Sequence, residues 1–339
     1  MAWFEKLNDN PLPWLLEHDP ANPAVRAFAL RDLLDRPEDD PDVQAARAAI
    51  MTTGPVPAIL DAQYPDGYWV TPGGGYSPKY RGTAWQIILL AELGADPADE
   101  RVRRGVEYLL SHSIAANGAF SALQTPVPSG SIPCLNGNLL YALQRLGWGD
   151  DPRVQAALDW LVRAITGEGG FCYLKSGTSG PSFACSANGG QPCAWGANKA
   201  MKALLATPPE RRTPSVQRAL EVGADFLLSR DPAVADYPYT ERVSSTWFKF
   251  GFPLTYWSDV LETTAVLVKL GYGEDPRLAH AFQFILSKQD GEGRWTLENS
   301  LHGKMWADIE EKGKPSKWVT LRALRVLKHG LFPHQRKDQ

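Results

Sequence analysis

Apolar positions along the chain follow helical spacing, in long runs that come in pairs. One run of each pair is apolar on nearly every side, as in TAWQIILLAEL and LETTAVLVKL. The other is apolar only at three- and four-residue spacing and carries charges on its other face, as in VRRGVEYLL and LAHAFQFIL. We therefore expect hairpins that each pair a buried inner helix with an amphipathic outer helix.

Prolines and glycines mark a repeat of these hairpins. A proline stands before each inner run, at intervals of 55 to 62 residues: Pro23, Pro78, Pro133, Pro192, Pro253 and Pro315. A glycine-aromatic step follows most outer runs, as in DGYW, NGAF, EGGF and GEGRW. Because one hairpin cannot bury its own apolar stripe, the units must stack on one another. The sequence predicts an all-α fold, an α/α toroid of about six helical hairpins, as a single domain over residues 1–339.

Long return loops and the starts of the inner helices are expected to share one rim of this toroid. Loops of this kind usually carry function, and many aromatic residues lie in them. An apolar pocket with a few polar groups is the usual form of a small-molecule site. We predict such a pocket from these residues: Tyr80, Trp85, Asn136, Trp195, Tyr256, Trp257, Trp306 and Trp318. The alternative is that the aromatic rings only plug the mouth of the ring and pack its loops.

Composition and charge exclude several classes of partner. The hydrophobic share of 44% suits a packed core, and a net charge of −3 without a basic stripe argues against nucleic-acid binding. No apolar run reaches membrane-spanning length, and the first residues lack the pattern of a signal peptide. We therefore predict a cytoplasmic protein without a transmembrane segment. The pattern leaves the oligomeric state open.

Four cysteines fall in one part of the repeat. Cys134 and Cys193 each follow a repeat proline, while Cys172 and Cys185 lie in the loop that joins their two units. Neighbouring hairpins would bring all four thiols together, where they would suit a tetrahedral zinc site or, less readily, an iron–sulfur cluster. The alternative is that they are small buried thiols without a metal. A metal at these thiols, zinc before iron–sulfur, is the only cofactor that the sequence suggests.

The segment KQDGEGRW followed by KPSKWVTLRALRVL resembles the repeat of squalene cyclases and protein prenyltransferases, members of the terpenoid cyclase superfamily of α/α toroids. This resemblance implies an enzyme that acts on a hydrophobic, isoprenoid-type small molecule in the central cavity. It implies either acid-initiated cyclisation or zinc-assisted prenylation of a thiol. The spacing of the prenyltransferase zinc ligands is absent from this chain.

The segment SDVLETTAVLV resembles the catalytic-acid motifs of class II cyclases, although the run of aspartates in the bacterial motif is missing. The resemblance implies Asp259 as a catalytic acid. Glu262 lies one helical turn further on, so repulsion between the two carboxyl groups would keep one of them protonated. His302, expected on the same rim, is a third catalytic candidate. The simpler interpretation of Asp259 is an acid at a helix N-terminus that interacts with the helix dipole.

Two other functions remain open at this point. The chain could be a non-catalytic binding or scaffold protein stabilised by a metal at its four cysteines. Polysaccharide processing in an aromatic-lined α/α barrel is also compatible with the predicted architecture, but the sequence offers no acid pair for glycosidic cleavage. We favour the enzyme because the resemblance extends over nearly the whole chain.

Overall fold

The computed structural model describes residues 2–173, 178–179, 183–185, 188–234, 237 and 243–331. It confirms an all-α fold of helical hairpins. The inner helices are α2 (Pro23–Phe28), α5 (Thr83–Glu92), α7 (Pro133–Arg145), α9 (Ala194–Ala206), α11 (Val260–Leu267) and α13 (Lys317–Leu331). Their outer partners are α3 (Pro41–Ile50), α6 (Glu100–His112), α8 (Pro152–Thr166), α10 (Pro214–Leu228) and α12 (Ala279–Ser287).

The inner helices close into a ring. Helix α5 packs on α7, α7 on α9, α9 on α11 and α11 on α13, and α13 returns to α2. The remaining junction, between the first and second units, is tight: a Cβ added at Gly94 would lie 2.8 Å from the ring of Phe28. Almost every residue of α5 is buried, as expected for a helix that has neighbours on all sides. The fold is therefore an α/α toroid.

Two short helices complete the outer wall. The first outer helix ends at Ile50, and the wall continues after Gly54 as α4 (Pro55–Asp61). The N-terminal helix α1 (Leu12–Leu16) packs against α13 and α2, so it covers the sixth unit, which has no outer helix of its own in the described chain. Closure of a ring removes the exposed ends that an open stack of hairpins would have to cover with polar residues.

The glycine-aromatic steps join each outer helix to the next inner helix. The indole N–H of Trp69 donates to the carbonyl of Ile59 at 2.7 Å, and its backbone N–H donates to Thr83 at 3.1 Å. Trp295 repeats both bonds, to Ile285 at 2.7 Å and to Thr320 at 3.0 Å. These bonds give the repeat a physical basis, because the same aromatic side chain fixes the end of one helix and the start of another.

Little regular structure lies outside the hairpins in the described chain. Two pairs of two-residue strands occur in return loops: β1 (Cys172–Tyr173) with β2 (Thr178–Ser179), and β3 (Trp295–Thr296) with β4 (Pro315–Ser316). Helices α2 and α11 each continue into a π-helical segment, Ala29–Leu33 and Val268–Tyr272. Among the described helices none has the length and apolar character that a membrane crossing requires.

Candidate functional site

The predicted aromatic cluster forms, and it fills the rim where the inner helices begin. Tyr256 lies at its centre, with ring centroids 6.4 Å from Trp85, 6.2 Å from Trp195 and 5.8 Å from Trp257. The Tyr80 hydroxyl lies 3.3 Å from that of Tyr256, and its ring is 5.4 Å from Trp85. These rings pack on one another, which is the arrangement expected of a plug.

The other members of the predicted pocket have different surroundings. Asn136 is fully buried and bonds both the N–H and the carbonyl of Phe120, so its side chain joins a return loop to α7. Trp306 is exposed, and its indole N–H donates to the carbonyl of Arg81. Trp318 stacks on Phe252 with ring centroids 4.0 Å apart, and it alone of the predicted pocket residues lines the cavity described next.

A cavity of about 140 Å³ lies within the ring, along the length of α11 and α13 and against the later turns of α5, α7 and α9. Its apolar lining comes from α11, α13 and the loop segment 251–259: Phe252, Leu254, Leu261, Ala265, Val266, Val268, Trp318 and Val326. Its polar lining is rich in titratable groups: Glu92, Tyr141, Lys202, Glu262, Lys269, Arg322, Arg325 and His329. Lys269 is exposed to solvent, so the cavity reaches the rim that has the short turns.

A second recess of about 250 Å³ adjoins this cavity at the last turns of α7, α9 and α11. It shares Tyr141, Lys202 and Lys269 with the cavity and adds Arg145 to the charged lining. Together the two spaces combine an apolar floor with a charged mouth. Such a lining can bind a molecule that is apolar at one end and polar at the other.

Asp259 begins α11 as its N-cap. One carboxylate oxygen accepts the N–H of Glu262 at 2.7 Å, and the two oxygens bind the Arg322 guanidinium at 2.8 and 3.0 Å. The side chain is fully buried and is absent from the cavity lining. Both oxygens of Asp259 therefore have donors inside the fold, and neither faces the cavity.

Glu262 is bound by two lysines of α9. Lys199 Nζ lies 2.6 and 2.8 Å from its carboxylate oxygens, Lys202 Nζ lies 3.4 Å away, and the Ser258 hydroxyl also donates to it. Burial alone would raise the pKa of Glu262, but the charges of Lys199 and Lys202 outweigh it and hold the pKa at about 2. We expected repulsion between Asp259 and Glu262 to keep one of the two carboxyl groups protonated. These contacts disagree with that expectation, because Asp259 binds Arg322 and Glu262 binds Lys199.

The cationic side of the cavity was not predicted from the sequence. Lys202 bridges Glu262 and Glu92, which lies 2.8 Å from its Nζ, and its Nζ stands 4.4 Å from the centre of the Tyr141 ring. Burial would raise the pKa of Tyr141, but the charges of Arg145, Lys202 and Lys269 lower it. The sequence does contain a signal for this cationic side. Lys199 and Lys202, in the segment NKAMK, interrupt an otherwise apolar inner helix.

His302 lies apart from the cavity lining. It is exposed on the return loop before β4, and its Nδ1 is 3.3 Å from the carboxylate of Asp308. The loop therefore does not bring His302 to Asp259, which is fully buried.

The described thiols gather at the starts of α7 and α9. Burial, with the nearby Cys185, raises the pKa of Cys134 to about 12. A side-chain hydrogen bond with Cys185 and burial raise the pKa of Cys193. The side chain of Cys172 falls outside the described residues. Among those that are described, no group of three or more metal-ligating side chains is suited to an ion, so zinc stays a prediction.

Comparison with known proteins identifies no family. No protein-family model and no curated protein matches the sequence. Among solved structures, a protein from Actinoplanes is 16% identical with a TM-score of 0.43, covering 91% of this chain and 90% of its own. A GH76 α-mannanase from Bacteroides thetaiotaomicron is 12% identical with a TM-score of 0.45, covering 94% and 87%. The type II terpene cyclase MstE from Scytonema is 12% identical with a TM-score of 0.30, covering 80% and 95%.

Proposed function

We propose that this protein binds a hydrophobic small molecule of the isoprenoid type in the cavity of the ring. The observation that carries the proposal is the continuous apolar surface formed by Phe252, Leu254 and Trp318 with the facing side of α11. Apolar ligands gain most of their binding free energy from burial against such surfaces, at roughly 25 cal/mol per Å². The aromatic cluster around Tyr256 supports the proposal, because it packs the rim opposite the one that the exposed Lys269 reaches.

Catalysis is the second candidate, and we place it in the cavity rather than at Asp259. Titratable groups with perturbed pKa values that cluster in a cavity are typical of functional sites, including sites that transfer protons. Tyr141 and Lys202 both face the cavity, whereas the oxygens of Asp259 are occupied by Arg322 and by the start of α11. A zinc-stabilised binding protein remains compatible with the same cavity, because the cysteines lie at the other rim.

Filling the cavity tests the proposal. Binding of radiolabelled farnesol is measured by equilibrium dialysis for the wild type, for Ala265→Trp, and for Ala45→Trp as a control. Ala265 lines the cavity on α11, and Ala45 is exposed on the outer helix α3. We expect the wild type to bind, Ala45→Trp to match it, and Ala265→Trp to bind at least about tenfold more weakly.

Two results would reject the proposed function. One is the absence of saturable farnesol binding to the wild type. The other is unchanged binding by Ala265→Trp when its circular dichroism and melting temperature match those of the control. Analysis of farnesol recovered after long incubation separates binding from turnover, since a new product would favour the catalytic candidate.

A further inference from the structure

A group of cations surrounds Tyr141 at the mouth of the cavity. Lys202 Nζ lies 4.4 Å and the Arg145 guanidinium carbon 5.7 Å from the centre of its ring, and Lys269 is close enough to affect its titration. We propose that these residues bind an anionic end of the ligand, a carboxylate or a phosphate. The inference rests on the proposed function, because it names the polar end of the same apolar molecule.

The charges that line the two spaces do not balance. Five cations face them, namely Arg145, Lys202, Lys269, Arg322 and Arg325, against the two carboxylates of Glu92 and Glu262. Behind the wall, Asp259 binds Arg322, and Asp32, which Arg31 also binds, binds Arg325, so both of these arginines already have a carboxylate partner. Three cations and two glutamates therefore remain at the mouth, with the partly exposed His329 beside them.

A further contact makes this imbalance larger. Lys199, behind the wall, binds both oxygens of Glu262, so that glutamate is already neutralised before Lys202 approaches it at 3.4 Å. Within the described residues, Arg145 and Lys269 have no carboxylate within 4.0 Å. Positive charge is thus available on the side that faces the recess.

The types and positions of these residues suit an oxyanion. Arginine and lysine give charge-assisted hydrogen bonds to carboxylates and phosphates, and a tyrosine hydroxyl can donate one more. Tyr141, Lys202 and Lys269 line both the apolar cavity and the recess, so a single ligand can lie on the floor and reach these groups. Lys269 belongs to the π-helical extension of α11, and π segments occur frequently at functional sites.

The competing explanation is that these cations only offset the dipoles of the inner helices. Arg145 lies in the last turn of α7, where a positive charge is favourable without any ligand. The chain offers a matched control for this effect, because Arg163 lies in the last turn of the outer helix α8, exposed and away from both spaces. If the arginines only offset helix dipoles, substitution of Arg145 or of Arg163 should change stability alone. If Arg145 binds the anion, only its substitution should weaken anion binding.

Three ligands that share one apolar chain test the inference. Dissociation constants for farnesol, farnesoic acid and farnesyl monophosphate are measured by calorimetry with the wild type, Arg145→Gln, Lys269→Gln and Arg163→Gln. We expect at least one of the anions to bind about tenfold or more tightly than farnesol, and less tightly as salt rises. Arg145→Gln and Lys269→Gln should remove this preference while farnesol binds as before, and Arg163→Gln should keep it.

The outcomes separate the two proposals. Binding of none of the three ligands rejects the proposed function and the inference with it. Equal binding of the alcohol and both anions leaves the proposed function intact and overturns the anion site. A preference that survives both Arg145→Gln and Lys269→Gln also overturns it. Whether the acid or the phosphate binds more tightly identifies the chemistry of the anionic end.

Discussion

Replacement of Asp259 by asparagine tests whether this residue is structural. Asparagine preserves the acceptor oxygen that caps α11 at the N–H of Glu262, and asparagine is as good an N-cap as aspartate. What it removes is the negative charge that faces Arg322 at 2.8 and 3.0 Å. The substitution therefore isolates the ion pair from the helix cap.

The size of the effect follows from the burial of the pair. Removing one partner of a buried ion pair costs about 3–5 kcal/mol, because the remaining charge has no partner. Arg322 keeps its bond to the carbonyl of Gly251 and its side chain is 14% exposed toward the cavity, so water can reach it. We expect a cost near the lower limit, about 3 kcal/mol. For 339 residues, an unfolding entropy of about 2.1 cal/mol/K per residue converts this to a fall in Tm of about 4 °C.

Urea unfolding and calorimetry measure this change, with Asp275→Asn as the control. Asp275 also caps a helical turn and also binds an arginine, Arg277, but that pair is exposed at the surface. The control should change stability little, because exposed ion pairs contribute little. The structural role is refuted if Asp259→Asn unfolds like the control. If the wild type turns over farnesol, and Asp259→Asn loses that turnover while its stability is unchanged, the result would support Asp259 as a catalytic acid.

Two further predictions concern stability. The pKa of Glu262 is held at about 2, below its ordinary value near 4.5, so the stability that this carboxylate contributes is present above pH 4.5 and is lost as the pH falls toward 2. Urea unfolding at pH 6 and pH 3 should show a larger loss for the wild type than for Glu262→Gln, and equal losses would contradict the pairing. A Cβ added at Gly137 would lie 2.4 Å from the carbonyl carbon of Lys199, so Gly137→Ala should separate α7 from α9 and cost about 2 kcal/mol. Gly291→Ala, in open space, is the control, and equal unfolding free energies would refute this contact.

The hairpins were predictable because their signals are local. A proline before an inner helix and a glycine-aromatic step after an outer helix both act within a few residues of their position. The bonds of Trp69 and Trp295 to the carbonyls of Ile59 and Ile285, each ten residues earlier, show this directly. A repeated local signal then predicts a stack, because each unit needs a neighbour to bury its apolar side.

The location of the cavity could not be predicted in the same way. Long loops at one rim suggested a site there, but the segment 251–259 folds into the ring and packs Tyr256 against Trp85 and Trp195, from two other units. The Asp259 to Arg322 pair joins residues 63 positions apart. Contacts of this kind depend on which side chains the closed ring brings together, and spacing along the chain does not contain that information.

The buried charges around Glu262 are better explained by a role in the cavity than by a contribution to stability. A buried ion pair is weak evidence for stability, because apolar residues of similar volume often stabilise a core as well or better. Lys199 is fully buried yet contacts only one charged partner, Glu262, among the described residues. By neutralising Glu262 it leaves Glu92, 2.8 Å from Lys202, as the one carboxylate still facing Lys202, Arg145 and Lys269 among the described lining residues, so positive charge is in excess there. The buried lysine thus acts on the electrostatics of a surface that it does not touch, which an apolar residue at the same position could not do.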